Sequence, residues 1–198
     1  MKTRIGIVII LIEIASIAAL LWFLNLGGMP EGFGRSLVFL LPIAFGLHVC
    51  EEFIFPGGAI QWFKQYHPEY AQAYTESYFF KVNAIPLALS LLVAFGTFDF
   101  AGGFSFFGIR AWLAFLSFLT INTIFHVRAV LETRKYSPGV GTSVLAYLPL
   151  AVFSLIYLLQ TGAVDIFSAI VCISVGSCIQ PVLDYIKKRN MVQHQYIR

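Results

Sequence analysis

Charge is scarce in this chain: only 12% of its 198 residues are Asp, Glu, Lys or Arg, about half the share of an ordinary soluble domain. So few charges cannot cover a composition that is 59% apolar and 16% aromatic, and a water-soluble fold is excluded. A mean hydropathy of +0.81 excludes disorder as well. Cysteine is nearly missing. Cys50, Cys172 and Cys178 form an odd count, all in apolar runs and without a CxxC spacing. That excludes a disulfide framework or a structural zinc knuckle and leaves buried free thiols. Net charge is small too, at +3, and its basic residues are too scattered to recognise nucleic acid. No internal repeat, low-complexity stretch or inverted pair of broken helices marks the chain as a transporter.

What is present are long apolar runs. A membrane helix needs about 20 mostly apolar residues, and the chain offers six such stretches. They cover about Ile5–Leu26, Ser36–Phe55, Val82–Phe98, Phe107–Val130, Thr142–Gln160 and Val164–Leu183. The first has a basic start in Lys2 and Arg4 but is too long for a signal-peptide core, so it reads as a retained anchor. It ends at Gly27-Gly28-Met29-Pro30, and Gly102-Gly103 mark a later turn. Between the second and third spans, Ala59 to Lys81 mixes aromatic and polar residues, as a segment at headgroup level does.

Six spans place both termini on one side. With that side cytoplasmic, eleven of the thirteen basic residues fall on or near it, and only Arg35 and Arg110 fall opposite; this is a positive-inside pattern. The expected fold is therefore all-α, one polytopic membrane domain over residues 1–198 with both ends in the cytoplasm. The expected location is the cytoplasmic membrane of a prokaryote.

Ionisable groups inside spans carry the functional signal, because each costs at least ~2.5–3.5 kcal/mol at the bilayer centre. His48-Val49-Cys50-Glu51-Glu52 closes the second span, and its positions 48, 51 and 52 share one helical face. One imidazole with one or two carboxylates is a ligand set for iron, manganese or zinc. Asn122 and His126 share a face of the fourth span. Spans two and four run in the same direction, so at 1.5 Å per residue both clusters reach nearly the same depth. Glu13 lies about 12 Å in from the same side by that rise, and Asn83 opens the third span there. The polar layer therefore occupies the cytoplasmic third of the bundle.

The order His48-x-x-Glu51-Glu52, Pro56-Gly57, Asn122-x-x-x-His126, Tyr136-Ser137-Pro138-Gly139, Thr142 and Pro149 resembles the HXXEE domain family over roughly residues 36 to 160. That family is described as integral membrane enzymes without a settled substrate. The resemblance implies a site more than a reaction.

Plainer accounts stand beside each residue. Glu52 can snorkel from a helix end, and Asn122 and His126 can be interhelical hydrogen-bond donors and acceptors. His67 and His194 read as surface residues. Glu13 reads as an accessory group able to pair with His48, His126 or Arg128. Arg128, Arg134 and Lys135 set topology or hold a phosphate headgroup. Tyr136 to Gly139 reads as a turn opening the fifth span.

The leading expectation is a membrane enzyme in which His48, Glu51 and/or Glu52, and His126 bind one or two divalent metals (iron, zinc or manganese), oriented by Asn122. Its substrate would be a membrane lipid or another lipophilic molecule, with hydrolysis and oxidation both open. A metal-free alternative uses a buried glutamate as acid and a histidine as base to isomerise a lipid double bond. A third reading is a small transporter or proton-conducting bundle, which the nearly uncharged outer two thirds of the spans disfavours.

Overall fold

The computed structural model describes residues 2–25, 37–97 and 105–196. Among them there is no strand, and seven helices account for the chain. In order they are α1 (Lys2–Asn25), α2 (Leu40–Phe53), α3 (Ala59–Tyr66), α4 (Glu76–Phe95), α5 (Phe106–Thr133), α6 (Val140–Gln160) and α7 (Ile166–Tyr196). The turns expected at Gly27–Pro30 and Gly102-Gly103, and Arg35, lie outside the described residues.

Four helices are long and apolar enough to cross a membrane: Glu76–Phe95, Phe106–Thr133, Val140–Gln160 and Ile166–Leu183. Most of each apolar stretch faces outward, with Leu92, Phe107, Val152 and Val175 all exposed. Side chains of that kind belong against lipid, where the helix satisfies its own backbone groups. The protein is an integral membrane protein.

Helix boundaries follow local chemistry. Thr75 caps α4 by accepting the N–H of Tyr78 at 3.2 Å, so this helix begins a turn and a half before the apolar run does. Ser105 caps α5 in the same way, accepting the N–H of Gly108 at 3.3 Å. Helix α2 is shorter than the span expected there. Its 14 residues reach about 21 Å at 1.5 Å per residue, against a hydrocarbon thickness of about 30 Å. Leu37 to Phe39 precede it as a turn, pinned by the Trp112 indole N–H, which donates to the Val38 carbonyl at 3.1 Å. Helix α7 is longer than expected and continues past Leu183 to Tyr196. No glycine follows Leu183, and Lys187, Lys188 and Arg189 are good helix formers.

Packing sets the site's position. Helices α5 and α7 pack closely against each other. A Cβ on Gly176 would stand 2.0 Å from the Ala114 carbonyl oxygen, so only glycine allows this approach. Ser117 donates to the Ile173 carbonyl at 3.1 Å across the same seam. Helix α2 packs on α1, α4 and the first turns of α6, and those turns also touch α5. The end of α2 is thereby enclosed by α5 on one side and the start of α6 on the other. Helix α3 is amphipathic and bears Trp62, Phe63 and Tyr66, whose rings meet Phe125 of α5.

Candidate metal centre

Three side chains from two helices converge beneath this enclosure. His48 and Glu52 sit one turn apart on α2 and His126 sits on α5; all three are buried. His48 Nε2 is 3.5 Å from Glu52 Oε1, and His126 Nε2 is 3.6 Å from the same oxygen. The two imidazoles meet edge to face with centroids 5.2 Å apart. One ligand atom from each residue lies within 4.8 Å of the others, close enough for the three to hold one metal ion. Ligands about 2.1 Å from a tetrahedral ion stand about 3.4 Å apart, close to the two separations from Glu52 Oε1.

The remaining ring nitrogens are held from behind. His48 Nδ1 lies 3.1 Å from the Gly139 carbonyl, 3.1 Å from Thr142 Oγ1 and 3.3 Å from Ser143 Oγ. A carbonyl only accepts, so Nδ1 donates to Gly139 and Nε2 faces the centre. His126 Nδ1 meets Ser137 Oγ at 2.9 Å. Asn122 Nδ2 stands 3.4 Å from His48 Nε2 and 3.2 Å from His126 Nε2. Its amide thus donates toward both lone pairs, the point an ion would take. Histidine ligands oriented through their second nitrogen are the usual design of a metal site.

Glu51 is placed differently from the expectation of a metal ligand. Its carboxylate turns to α6, accepting from the N–H of Gly141 at 2.9 Å, the N–H of Thr142 at 2.6 Å and the Thr142 hydroxyl at 2.6 Å. Tyr136 donates to it as well. Helix N-termini leave backbone N–H groups without intrahelical partners and favour a negative charge, so Glu51 caps α6 from another helix. That cap holds Gly139, Thr142 and Ser143 against His48. The two adjacent acids divide the work, one at the centre and one in its frame.

Glu13 pairs with neither histidine nor with Arg128. It stands against Gly46 of α2, and its Oε1 is buried without a hydrogen-bond partner among the described residues. Arg128 pairs with Glu132 at 2.6 Å. Asn83 is buried and donates to the Phe79 carbonyl at 2.9 Å. His67 is partly exposed, 3.2 Å from Glu69 and stacked on Phe125.

The turn read at Tyr136–Gly139 opens α6, and what sequence reasoning missed is that it forms the rear wall of the centre with Val140 to Ser143. Gly139, at φ +99°, lies against all three converging residues. A Cβ there would stand 2.6 Å from His48 Cε1, 2.9 Å from His126 Cε1 and 3.1 Å from Glu52 Cγ. Tyr147 was missed as well. It ends a π-helical turn, Ser143–Tyr147, inside α6, and such turns recur at functional sites. Its ring packs on His48 with centroids 5.2 Å apart, and its hydroxyl is buried without a partner among the described residues. Four hydroxyl residues between Ser137 and Tyr147, in a segment entering the bilayer, were the available signal.

At the start of the turn, Tyr136 itself is perturbed. Burial, then the bond to Glu51 and that carboxylate's charge, push its phenol well above the ordinary tyrosine range.

Fold and site together define a class: a helical membrane protein with a buried His/Glu group that could hold a metal ion. A family described as protein of unknown function with HXXEE motif matches residues 39–154. The chain belongs to that family. No curated protein and no solved structure matches the chain.

Proposed function

We propose that this protein is a metal-dependent integral membrane enzyme whose centre is His48, Glu52 and His126. The observation that carries this reading is the convergence of two imidazole Nε2 atoms on one buried carboxylate, each ring's Nδ1 being held by the Ser137–Ser143 turn. A carboxylate and two imidazoles buried together in a low-dielectric interior are a donor set that a divalent cation offsets.

Two histidines and one carboxylate suit non-haem iron and catalytic zinc, and both leave coordination positions open. A metal bound there would supply Lewis acidity or a nucleophilic water for hydrolysis, or redox chemistry if the metal is iron. The chain's own residues supply the rest: His48 and His126 present fixed lone pairs, Glu52 the charge, and Asn122 an amide donor at the same point. Glu51 belongs to the frame.

The orientation we propose has six membrane segments, the first formed by α1 and the second by the short α2. Both termini then lie in the cytoplasm, as the eleven-to-two distribution of basic residues favours. The membrane is a prokaryotic cytoplasmic membrane, and the substrate is a lipid or another lipophilic molecule reaching the centre from the bilayer.

Metal analysis of detergent-purified wild type beside His48→Ala and His126→Ala tests the assignment. The expected result is one iron, zinc or manganese per wild-type chain and a loss of at least tenfold in each variant. Equal metal in all three contradicts it. Metal-free wild type that still turns over a lipid favours acid–base chemistry by Glu52 and the histidines instead.

A further inference from the structure

A cavity of about 1010 Å³ shares a wall with the metal centre, formed by His48, Glu52 and Asn122. Its size is at the top of the ~300–1,000 Å³ usual for small-molecule sites. Its lining on α5 runs from Phe118 to Glu132, about 21 Å at 1.5 Å per residue. The chemistry changes along that length. One end is walled by Phe118 and Leu119 of α5 with Ile85 and Pro86 of α4. The other end carries Lys81, Arg128 and Glu132 beneath the tyrosines that follow α3.

Two further features bear on the occupant. Val82 and Ile85 of α4 and Leu183 of α7 line the cavity and are exposed. The cavity is therefore open to its surroundings at α4 and α7, helices whose apolar faces belong against lipid. At the charged end, two cations face one carboxylate, and Arg128 meets Glu132 through Nε. The planar fork of a guanidinium suits an oxyanion.

We infer that this cavity is the substrate chamber and that it takes a single-chain amphiphile with an anionic head. The head lies against Arg128 and Lys81, and the apolar chain runs past the centre toward Phe118 and Pro86. From Arg128 to Asn122 the rise along α5 is about 9 Å, so the bond presented to the centre lies that far along from the head. Asn83, Asn122 and Gln180 are the amides of the lining able to orient a polar group in the chain. The inference rests on the reading of His48, Glu52 and His126 as the reacting centre and adds the substrate's class and register.

The test is equilibrium binding of radiolabelled dodecyl phosphate to the full chain in nanodiscs of zwitterionic lipid. Metal content is measured on the same samples. Wild type is expected to bind one probe per chain saturably, and dodecyltrimethylammonium at least tenfold more weakly. Combining Lys81→Gln with Arg128→Gln lowers affinity for the phosphate probe at least tenfold. Leu119→Trp and Ile85→Trp, which fill the apolar end from two helices, each abolish saturable binding; Ile85 is exposed enough that its substitution does not burden the core.

Uptake no greater than by empty nanodiscs overturns the inference, as does saturable binding that survives both tryptophans. Equal affinity for the trimethylammonium probe overturns the head assignment. Wild type that holds metal but no probe defeats this inference alone. Wild type that binds the probe as expected but holds no metal supports the chamber and defeats only the metal assignment.

Discussion

The carboxylate of Glu51 accepts the backbone N–H of Thr142 at 2.6 Å, and through that bond the end of α2 fixes the start of α6. The residue that follows, Glu52, faces the two histidines instead. Opposite consequences follow for the two acids. Glu51→Gln is expected to lower unfolding stability by about 1–3 kcal/mol, since a weaker acceptor leaves buried donors poorly paired. It should still bind one metal per chain at saturating metal. Glu52→Gln is expected to stay folded and lose metal affinity at least tenfold. Thermal unfolding beside metal titration checks both, and the reverse pattern would contradict the division.

Gly139 answers for the rear wall. A methyl group there meets both imidazoles and the Glu52 side chain at 3.1 Å or less, and its positive φ disfavours any L side chain. Gly139→Ala is expected to cost about 1–3 kcal/mol by overpacking and to weaken metal binding about 10–100-fold through displaced ligands. A variant with wild-type melting and metal affinity would show that the turn does not touch the centre.

The Tyr147 hydroxyl is a different case, being buried without a partner among the described residues. Removing an unpaired buried polar group relieves a desolvation cost of about 1–3 kcal/mol. Tyr147→Phe is therefore expected to melt at the wild-type temperature or above it. A drop in melting temperature would show that this hydroxyl holds a partner in the working protein.

Tyr136 sets an alkaline limit. Its phenol is raised by burial and by Glu51, so the folded state binds this proton more tightly than the unfolded chain does. The stability it contributes is full below the ordinary tyrosine value of about 10 and is lost as pH rises from there through the raised folded value. Tyr136→Phe is expected to flatten that alkaline limb when unfolding is followed from pH 8 to 11. An unchanged limb would place its origin elsewhere.

Much of this arrangement is legible in the residue order. Apolar runs located α4 to α6 and the apolar part of α7, and equal depth on parallel spans put His48 beside Asn122 and His126. Shared-face reasoning stopped short at Glu51 and Glu52. Successive residues turn about 100° on a helix, so these acids flank His48 on opposite sides, one toward α5 and the other toward α6. Nothing in the spacing tells which neighbour lies where. The Tyr136–Gly139 turn was legible, but its packing against His48 and His126 was not, because a turn has no periodicity that tells which residues it faces. The short start of α2 depends on the Trp112 bond to Val38, a contact between distant segments. The extension of α7 required weighing helix propensity above the end of the apolar run.

Cobalt titration of the purified chain tests the central claim most directly, because visible d–d absorption reports ligand geometry as well as occupancy. Wild type is expected to saturate at one cobalt per chain with a four- or five-coordinate spectrum. His48→Ala, His126→Ala and Glu52→Gln should each lose the signal, while Glu51→Gln keeps it. A wild-type spectrum shared by all three ligand variants would show that these side chains do not hold an ion.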